Sequence, residues 1–123
     1  MQFGQEIRHK CKVNLLTSTY EKCLEHHPED AMVLTNYAGL MTQKREFQKA
    51  EILFKKAIKI QDVPNAYYGL ALLYQMAGED DASKSVLETM FVRIPQQTLA
   101  RDHAGIYAEI QNLYGKLSKE KRH

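Results

Sequence analysis

Apolar residues recur along this chain at the three- and four-residue spacing of an amphipathic helix. In one clear segment Leu53, Ala57 and Ile60 follow this spacing, while Lys55 and Lys59 occupy the opposite side. No stretch alternates with a period of two, so we expect no strands and an all-α fold. The pattern predicts helices near residues 2–10, 14–26, 31–43, 46–61, 65–77, 80–93 and 97–118.

Proline, glycine and polar residues divide these helices into pairs. Pro28, Pro64 and Pro95 each fall between one helical pattern and the next, where the missing N–H of proline costs least. Polar turns at 44–46 and 78–81 separate the helices within a pair. Gly78 is suited to the left-handed conformation that ends many helices.

The helix pairs form an internal repeat. A small residue returns at a nearly constant interval along the chain, at Gly4, Ala38, Ala71 and Gly105. Small residues at this interval are expected where two helices approach closely. Large residues return at the same interval, as in Tyr20, Phe54 and Leu87.

The unit formed by residues 31–63 resembles the tetratricopeptide repeat, a helix-turn-helix motif with a fixed pattern of small and aromatic positions. The matching residues are Leu34, Tyr37, Ala38, Met41, Phe47, Ala50, Phe54 and Ala57. The next unit matches at Tyr67, Leu70, Ala71, Tyr74, Gly78, Leu87 and Pro95, but Ser83 and Met90 replace two expected alanines. We therefore predict a single domain with repeats at about 1–30, 31–63 and 64–97, a capping helix at 98–118 and a tail at 119–123.

The resemblance implies a right-handed superhelix of antiparallel helix pairs, whose first helices line a concave groove for a peptide or helix of a partner protein. In the family's register the groove residues are Met32, Asn36, Gln43, Asn65, Tyr68, Leu72, Gln75, Met76 and His103. The capping helix is expected to add Ile106 and Ile110 to His103 or to close the groove. An alternative is that the last helix folds onto the groove side chains and makes them part of the core.

The same register argues against an acidic ligand. Family members that clamp the acidic C-termini of heat-shock chaperones use Lys, Asn and Arg at fixed groove positions. Asn36 matches one of these positions, but Asn65, Gly69, Leu99 and His103 occupy the others. The resemblance therefore favours a partner segment with apolar anchors.

Composition leaves little room for other functions. The 123 residues are 44% hydrophobic and 26% charged, and 17 Lys and Arg against 15 Asp and Glu give a net charge of +2. This balance does not favour nucleic acid or a membrane as a partner. Because we find no signal peptide and no long apolar run, we expect a cytoplasmic protein in which Cys11 and Cys23 are thiols.

No sequence motif for catalysis, phosphate binding or metal binding is present, so we expect no enzymatic activity, no cofactor and no metal. The neighbouring His26 and His27 point to different sides of a helix and lack a second ligand pair. We predict a non-catalytic protein-binding module, an adaptor or chaperone-like protein. The alternatives are a structural repeat protein that self-assembles into a homo-oligomer and, less favoured, a nucleic-acid-binding accessory protein.

Overall fold

The computed structural model describes residues 17–120 and divides after Gln61 into two compact units, which we call the N-terminal and C-terminal units. Every regular element in this range is a helix, as the sequence predicts. The helices are α1 (Thr17–His26), α2 (Ala31–Gln43), α3 (Phe47–Ile60), α4 (Pro64–Met76), α5 (Asp80–Arg93), α6 (Gln96–Asp102) and α7 (Ala104–Glu120). The predicted helix at 2–10, the start of the one at 14–26 and most of the tail lie outside the described residues.

The N-terminal unit is built on the hairpin of α2 and α3. Asp30 starts α2 because its carboxylate accepts hydrogen bonds from the backbone N–H of Met32 (3.0 Å) and of Val33 (3.2 Å). The two helices bury their repeat-pattern residues against each other, with Ala38 and Ala50 both fully buried. These small residues allow the close approach that the repeat predicts.

Helix α1 packs on α2 through aromatic and charged contacts. The rings of Tyr20 and Tyr37 stack with their centroids 5.4 Å apart. The Tyr37 hydroxyl donates to Glu21 at 3.2 Å, and the Lys49 ammonium lies 5.1 Å from the centroid of the Tyr37 ring. Tyr37 therefore joins α1, α2 and α3.

Both hairpin turns contain one residue with positive φ. Arg45 has φ 63° in the α2–α3 turn, and Gly78 has φ 78° in the α4–α5 turn. After each of these residues the chain closes a hydrogen bond back into the preceding helix, from Glu46 N–H to the Met41 carbonyl (2.9 Å) and from Glu79 N–H to the Tyr74 carbonyl (2.8 Å). The left-handed end predicted at Gly78 is confirmed.

The C-terminal unit begins with the hairpin of α4 and α5. Ser83 and Met90, which replace two alanines of the repeat pattern, are both fully buried. The Ser83 hydroxyl donates to the Ala71 carbonyl at 2.6 Å, so this departure from the pattern adds a buried hydrogen bond between the helices.

At the end of this hairpin opposite the Gly78 turn, one carboxylate bonds to residues of both helices. Asp62 Oδ1 accepts hydrogen bonds from the Tyr67 hydroxyl and from Arg93 Nε, both at 2.7 Å. The hydrogen bond from Arg93, with a second from Tyr67, lowers the pKa of Asp62. Burial of the ring, followed by its bond to Asp62, raises the pKa of Tyr67 to about 12. Since the lowered pKa of Asp62 favours its charged form, the hydrogen bonds to this carboxylate stabilise the folded unit at neutral pH.

The C-terminal helix expected at 97–118 is two helices. The backbone at His103 (φ −137°, ψ 41°) leaves the helical conformation, which ends α6 and allows α7 to begin in a new direction. Helix α7 packs against α5 and α4, as a capping helix would, and its buried residues are Ile110, Leu113 and Leu117. Tyr114 meets Phe91 edge to face at 5.4 Å, and its hydroxyl donates to Glu88 at 3.0 Å.

Two further sequence expectations concern cysteines and membranes. Cys23 is buried in α1 and is disulfide-bonded, so the prediction of a thiol at this position is wrong. Cys11 lies outside the described residues, and the cytoplasmic location stays a prediction. No helix within residues 17–120 has the length and apolar character needed to cross a membrane.

Candidate partner-binding surfaces

The predicted groove residues of the N-terminal unit share one side of α2. Met32, Asn36 and Gln43 are spaced so that they lie on one helical face. We call these three residues the α2 stripe. Met32 and Gln43 are exposed and Asn36 is half-buried, whereas Thr35 is buried and donates its hydroxyl to the Ala31 carbonyl. The stripe is therefore accessible along its length.

The predicted groove residues of the C-terminal unit form a second stripe on α4. Asn65 and Met76 at its two ends are exposed, and the residues between them are half-buried. The opposite side of α4 is fully packed, with Ala66 and Ala71 at zero exposure. The α4 stripe comprises Asn65, Tyr68, Leu72, Gln75 and Met76. None of its residues is fully buried, although Tyr68, Leu72 and Gln75 are half-buried.

One residue of α7 that the repeat register did not single out acts electrostatically on this stripe. Glu109 is an exposed residue of α7, the helix that packs against α4. Burial raises the pKa of Tyr68, and the negative charge of Glu109 raises it further, because a nearby carboxylate opposes formation of the phenolate. The repeat itself contains a signal for this position, since Glu109 follows Gln75 of the α4 stripe by one repeat length.

Comparison with solved structures identifies this arrangement of helices. The TPR2B domain of yeast Sti1, solved in a complex with pHsp70, superposes with a TM-score of 0.71 over 85% of this chain and 81% of that chain, at 22% sequence identity. The chain has the fold of a tetratricopeptide-repeat domain. No protein-family model and no curated protein sequence matches the chain.

The remaining predicted groove residues lie in the last two helices of the C-terminal unit. His103 is exposed at the junction of α6 and α7, where the backbone leaves the helical conformation. Ile106 is half-buried, and Ile110 is completely buried in the packing of α7, so Ile110 contributes no binding surface. In α7, Glu109 is thus exposed whereas Ile110 is buried.

The N-terminal unit also has an open surface pocket of about 600 Å³ beside the α1–α2 turn. Met32 of the α2 stripe lines this pocket, as does Asp30, whose carboxylate is occupied by capping α2. The pocket therefore extends the accessible surface of the stripe toward the start of the helix. Within residues 17–120, no group of three or more His, Cys, Asp or Glu is arranged to hold a metal ion.

Proposed function

We propose that this protein is a non-catalytic interaction module that binds a helical or extended segment of a partner protein through its α4 stripe; the α2 stripe of the N-terminal unit is a separate candidate surface. The α4 stripe is the principal support for this proposal. It exposes Met76 and leaves Tyr68 and Leu72 half-buried, on a helix whose other side is packed against the core. Apolar side chains accessible between amides suit a surface that anchors a partner and also fixes its register.

The type of residue on the stripe sets the expected strength of the contact. Tyrosine and methionine are enriched at binding surfaces because they bury large areas and adapt to a partner. Met76 is 61% exposed, so most of its apolar area is available for burial. At about 25 cal/mol per Å² of apolar surface, covering the exposed part of this side chain contributes on the order of 1–2 kcal/mol.

The structural likeness supports the same class of function. The Sti1 domain was solved in a complex with pHsp70, which makes a protein ligand the natural expectation for this fold. The two chains share only 22% of their residues, and the groove positions of this chain lack the Lys and Arg of the chaperone clamp. We therefore propose a partner of different chemistry.

Affinity capture with paired variants tests the proposal. The Tyr68→Ala/Leu72→Ala protein removes the centre of the α4 stripe, and the Ile52→Ala/Val92→Ala protein removes two apolar side chains that are 65% and 87% exposed on α3 and α5. A partner recovered by wild type should bind the control variant equally and the stripe variant at least tenfold more weakly. Circular dichroism spectra must show that both variants retain the helical fold. Equal affinity of the stripe variant would refute the assignment of the binding surface.

Self-assembly is the alternative proposal, and the surface of α7 argues against stacking of a second copy on this helix. The exposed residues along α7 are small or polar, including Ala108, Gln111, Asn112 and Lys116. A polar outer face is typical of a helix that ends a repeat array, rather than one that stacks on another copy. Light scattering across a hundredfold range of concentration should give the monomer mass, and a rising mass would favour self-assembly.

A further inference from the structure

The disulfide at Cys23 has one possible partner in this chain. Cys23 lies in α1 with 3% of its surface exposed, and the sequence contains two cysteines. A sulfur buried this deeply cannot reach a second copy of the chain unless the unit opens, so the bond is intramolecular. Its partner is therefore Cys11, the other cysteine of the sequence, which lies outside the described residues.

The repeat register places these two cysteines far apart. Cys11 has the position of Arg45, in the turn between the two helices of a unit. Cys23 has the position of Ala57, which lies near the far end of α3. At about 1.5 Å of helix per residue, Arg45 and Ala57 are separated by roughly 15–18 Å. Because the Cα atoms of a disulfide lie within about 7 Å of each other, a first unit with the geometry of the α2–α3 hairpin cannot contain this bond.

The chain before α1 is nevertheless long enough to form the disulfide. Helix α1 begins at Thr17, and it rises about 9 Å between Thr17 and Cys23. The six residues from Cys11 to Thr17 can span up to about 20 Å when extended. They can therefore turn back along α1 and bring the two sulfurs together.

The sequence before Cys11 suits the alternative hairpin geometry. Phe3 and Ile7 have the repeat positions of Tyr37 and Met41, which are both buried in the N-terminal unit. Residues 2–10 are also predicted to be helical. A helix at this place, paired with α1 as α2 pairs with α3, would bury the two apolar side chains. The first unit thus has two arrangements that exclude each other, one closed by the disulfide and one that follows the repeat.

We propose that Cys11 and Cys23 form a redox switch that determines whether residues 2–10 pair with α1 as the first helix of the first repeat. Two molecules of a small thiol such as glutathione open the bond by thiol–disulfide exchange. Each protein sulfur gains a hydrogen, and the two small thiols leave joined as one disulfide. A reducing cytoplasm therefore favours the repeat arrangement, and an oxidising compartment favours the disulfide.

The switch concerns the N-terminal unit and does not depend on the partner proposed for the α4 stripe. The first helices of successive repeats line the same side of the array. In the reduced protein a helix at 2–10 would thus extend the surface of the α2 stripe, and in the oxidised protein this extension would be withheld.

Alkylation and mass spectrometry test the bond. The protein is equilibrated in a glutathione buffer with an excess of the oxidised form, unfolded, and treated with iodoacetamide before or after dithiothreitol. Wild type should have the monomer mass and take up no alkyl group before reduction and two after it. Two alkyl groups without reduction, attached glutathione, or a dimer that dithiothreitol separates would overturn the proposal.

Hydrogen exchange measured by mass spectrometry tests the change of arrangement. Amides of residues 2–10 should exchange about tenfold more slowly in reduced wild type than in the disulfide form, because helical hydrogen bonds and packing protect them. Peptides from α4 and α5 should be unaffected and serve as the internal control.

Two variants separate the switch from a general loss of stability. Cys23→Ala introduces the residue found at Ala57, and Cys11→Ser leaves the buried sulfur in place. Both should show the slow exchange of residues 2–10 with and without dithiothreitol. Equal exchange of this segment in oxidised and reduced wild type, or slower exchange in the disulfide form, would show that the bond only fastens the chain and would overturn the switch.

Discussion

The two hairpin turns offer a paired test of backbone strain. Arg45 and Gly78 occupy the same place in their turns, one repeat length apart, and both have positive φ. A residue with a Cβ in this conformation costs about 1–2 kcal/mol, whereas glycine adopts it without that cost. We therefore expect Arg45→Gly to stabilise the protein and Gly78→Ala to destabilise it.

The magnitude follows from two opposing terms. Relief of the strained backbone at Arg45 contributes about 1–2 kcal/mol, and the added flexibility of glycine in the unfolded chain offsets about 0.4–1 kcal/mol of that gain. The net stabilisation is about 0.5–1 kcal/mol. For Gly78→Ala the signs reverse, and the added Cβ meets no atom within 4 Å beyond its immediate chain neighbours, so backbone strain determines the cost.

Urea unfolding followed by circular dichroism measures both changes. With a denaturant slope of about 2 kcal/mol per M, the midpoint should rise by about 0.3–0.5 M for Arg45→Gly and fall similarly for Gly78→Ala. Ala77→Gly is the control, since Ala77 has φ −83° and gains nothing from glycine. It should lower the midpoint by a similar amount. If Arg45→Gly also lowers the midpoint, the argument from backbone strain is refuted.

Three other changes test individual contacts by the same unfolding assay. Asp30→Ala removes the cap of α2 and should cost about 1 kcal/mol; an unchanged midpoint would contradict the capping role. Ser83→Ala removes the buried bond to the Ala71 carbonyl and should cost about 0.5–1.5 kcal/mol, whereas greater stability would show that the family's alanine is preferred here. The pKa of Tyr67 is about 12 in the folded state and ordinarily 10.0, so the folded state holds this proton to higher pH. The contribution of the protonated phenol to the free energy of unfolding is therefore complete below pH 10 and is lost between pH 10 and 12. Tyr67→Phe should therefore show a shallower loss of stability over that range than wild type, and equal slopes would count against the raised pKa of Tyr67.

The sequence predicts the helices well where single residues mark their ends. Helices α2 and α5 have the predicted bounds, and α3 and α4 differ by one residue at each end, because Pro64, Gly78 and the polar turns act locally. The break at His103 was missed because apolar residues such as Leu99 and Ile110 keep helical spacing across it. After the break at His103, α7 packs on α5 and α4. Helical periodicity in the sequence does not predict such packing between helices.

The candidate surface is predictable from the sequence only in part, because exposure depends on packing between helices. The repeat register assigns Asn65, Tyr68 and Leu72 to one face of α4, since that depends on helical geometry. Exposure depends on neighbouring helices, so the register alone did not distinguish the buried Ile110 from the exposed Glu109. The effect of Glu109 on the pKa of Tyr68 depends on the packing of α7 against α4, which the repeat register does not encode.

The shared carboxylate of Asp62 turns the α4–α5 hairpin into a closed ring. The turn around Gly78 joins the helices at one end, and the bond from Arg93 to Asp62 joins the chain at the other. A helical hairpin normally frays from its open end, where helices are tied by side-chain contacts alone. Here the first turn of α4 and the last turn of α5 must separate together. Asp62→Asn should consequently accelerate amide exchange at both termini, at the first hydrogen-bonded amides of α4 and in the last turn of α5.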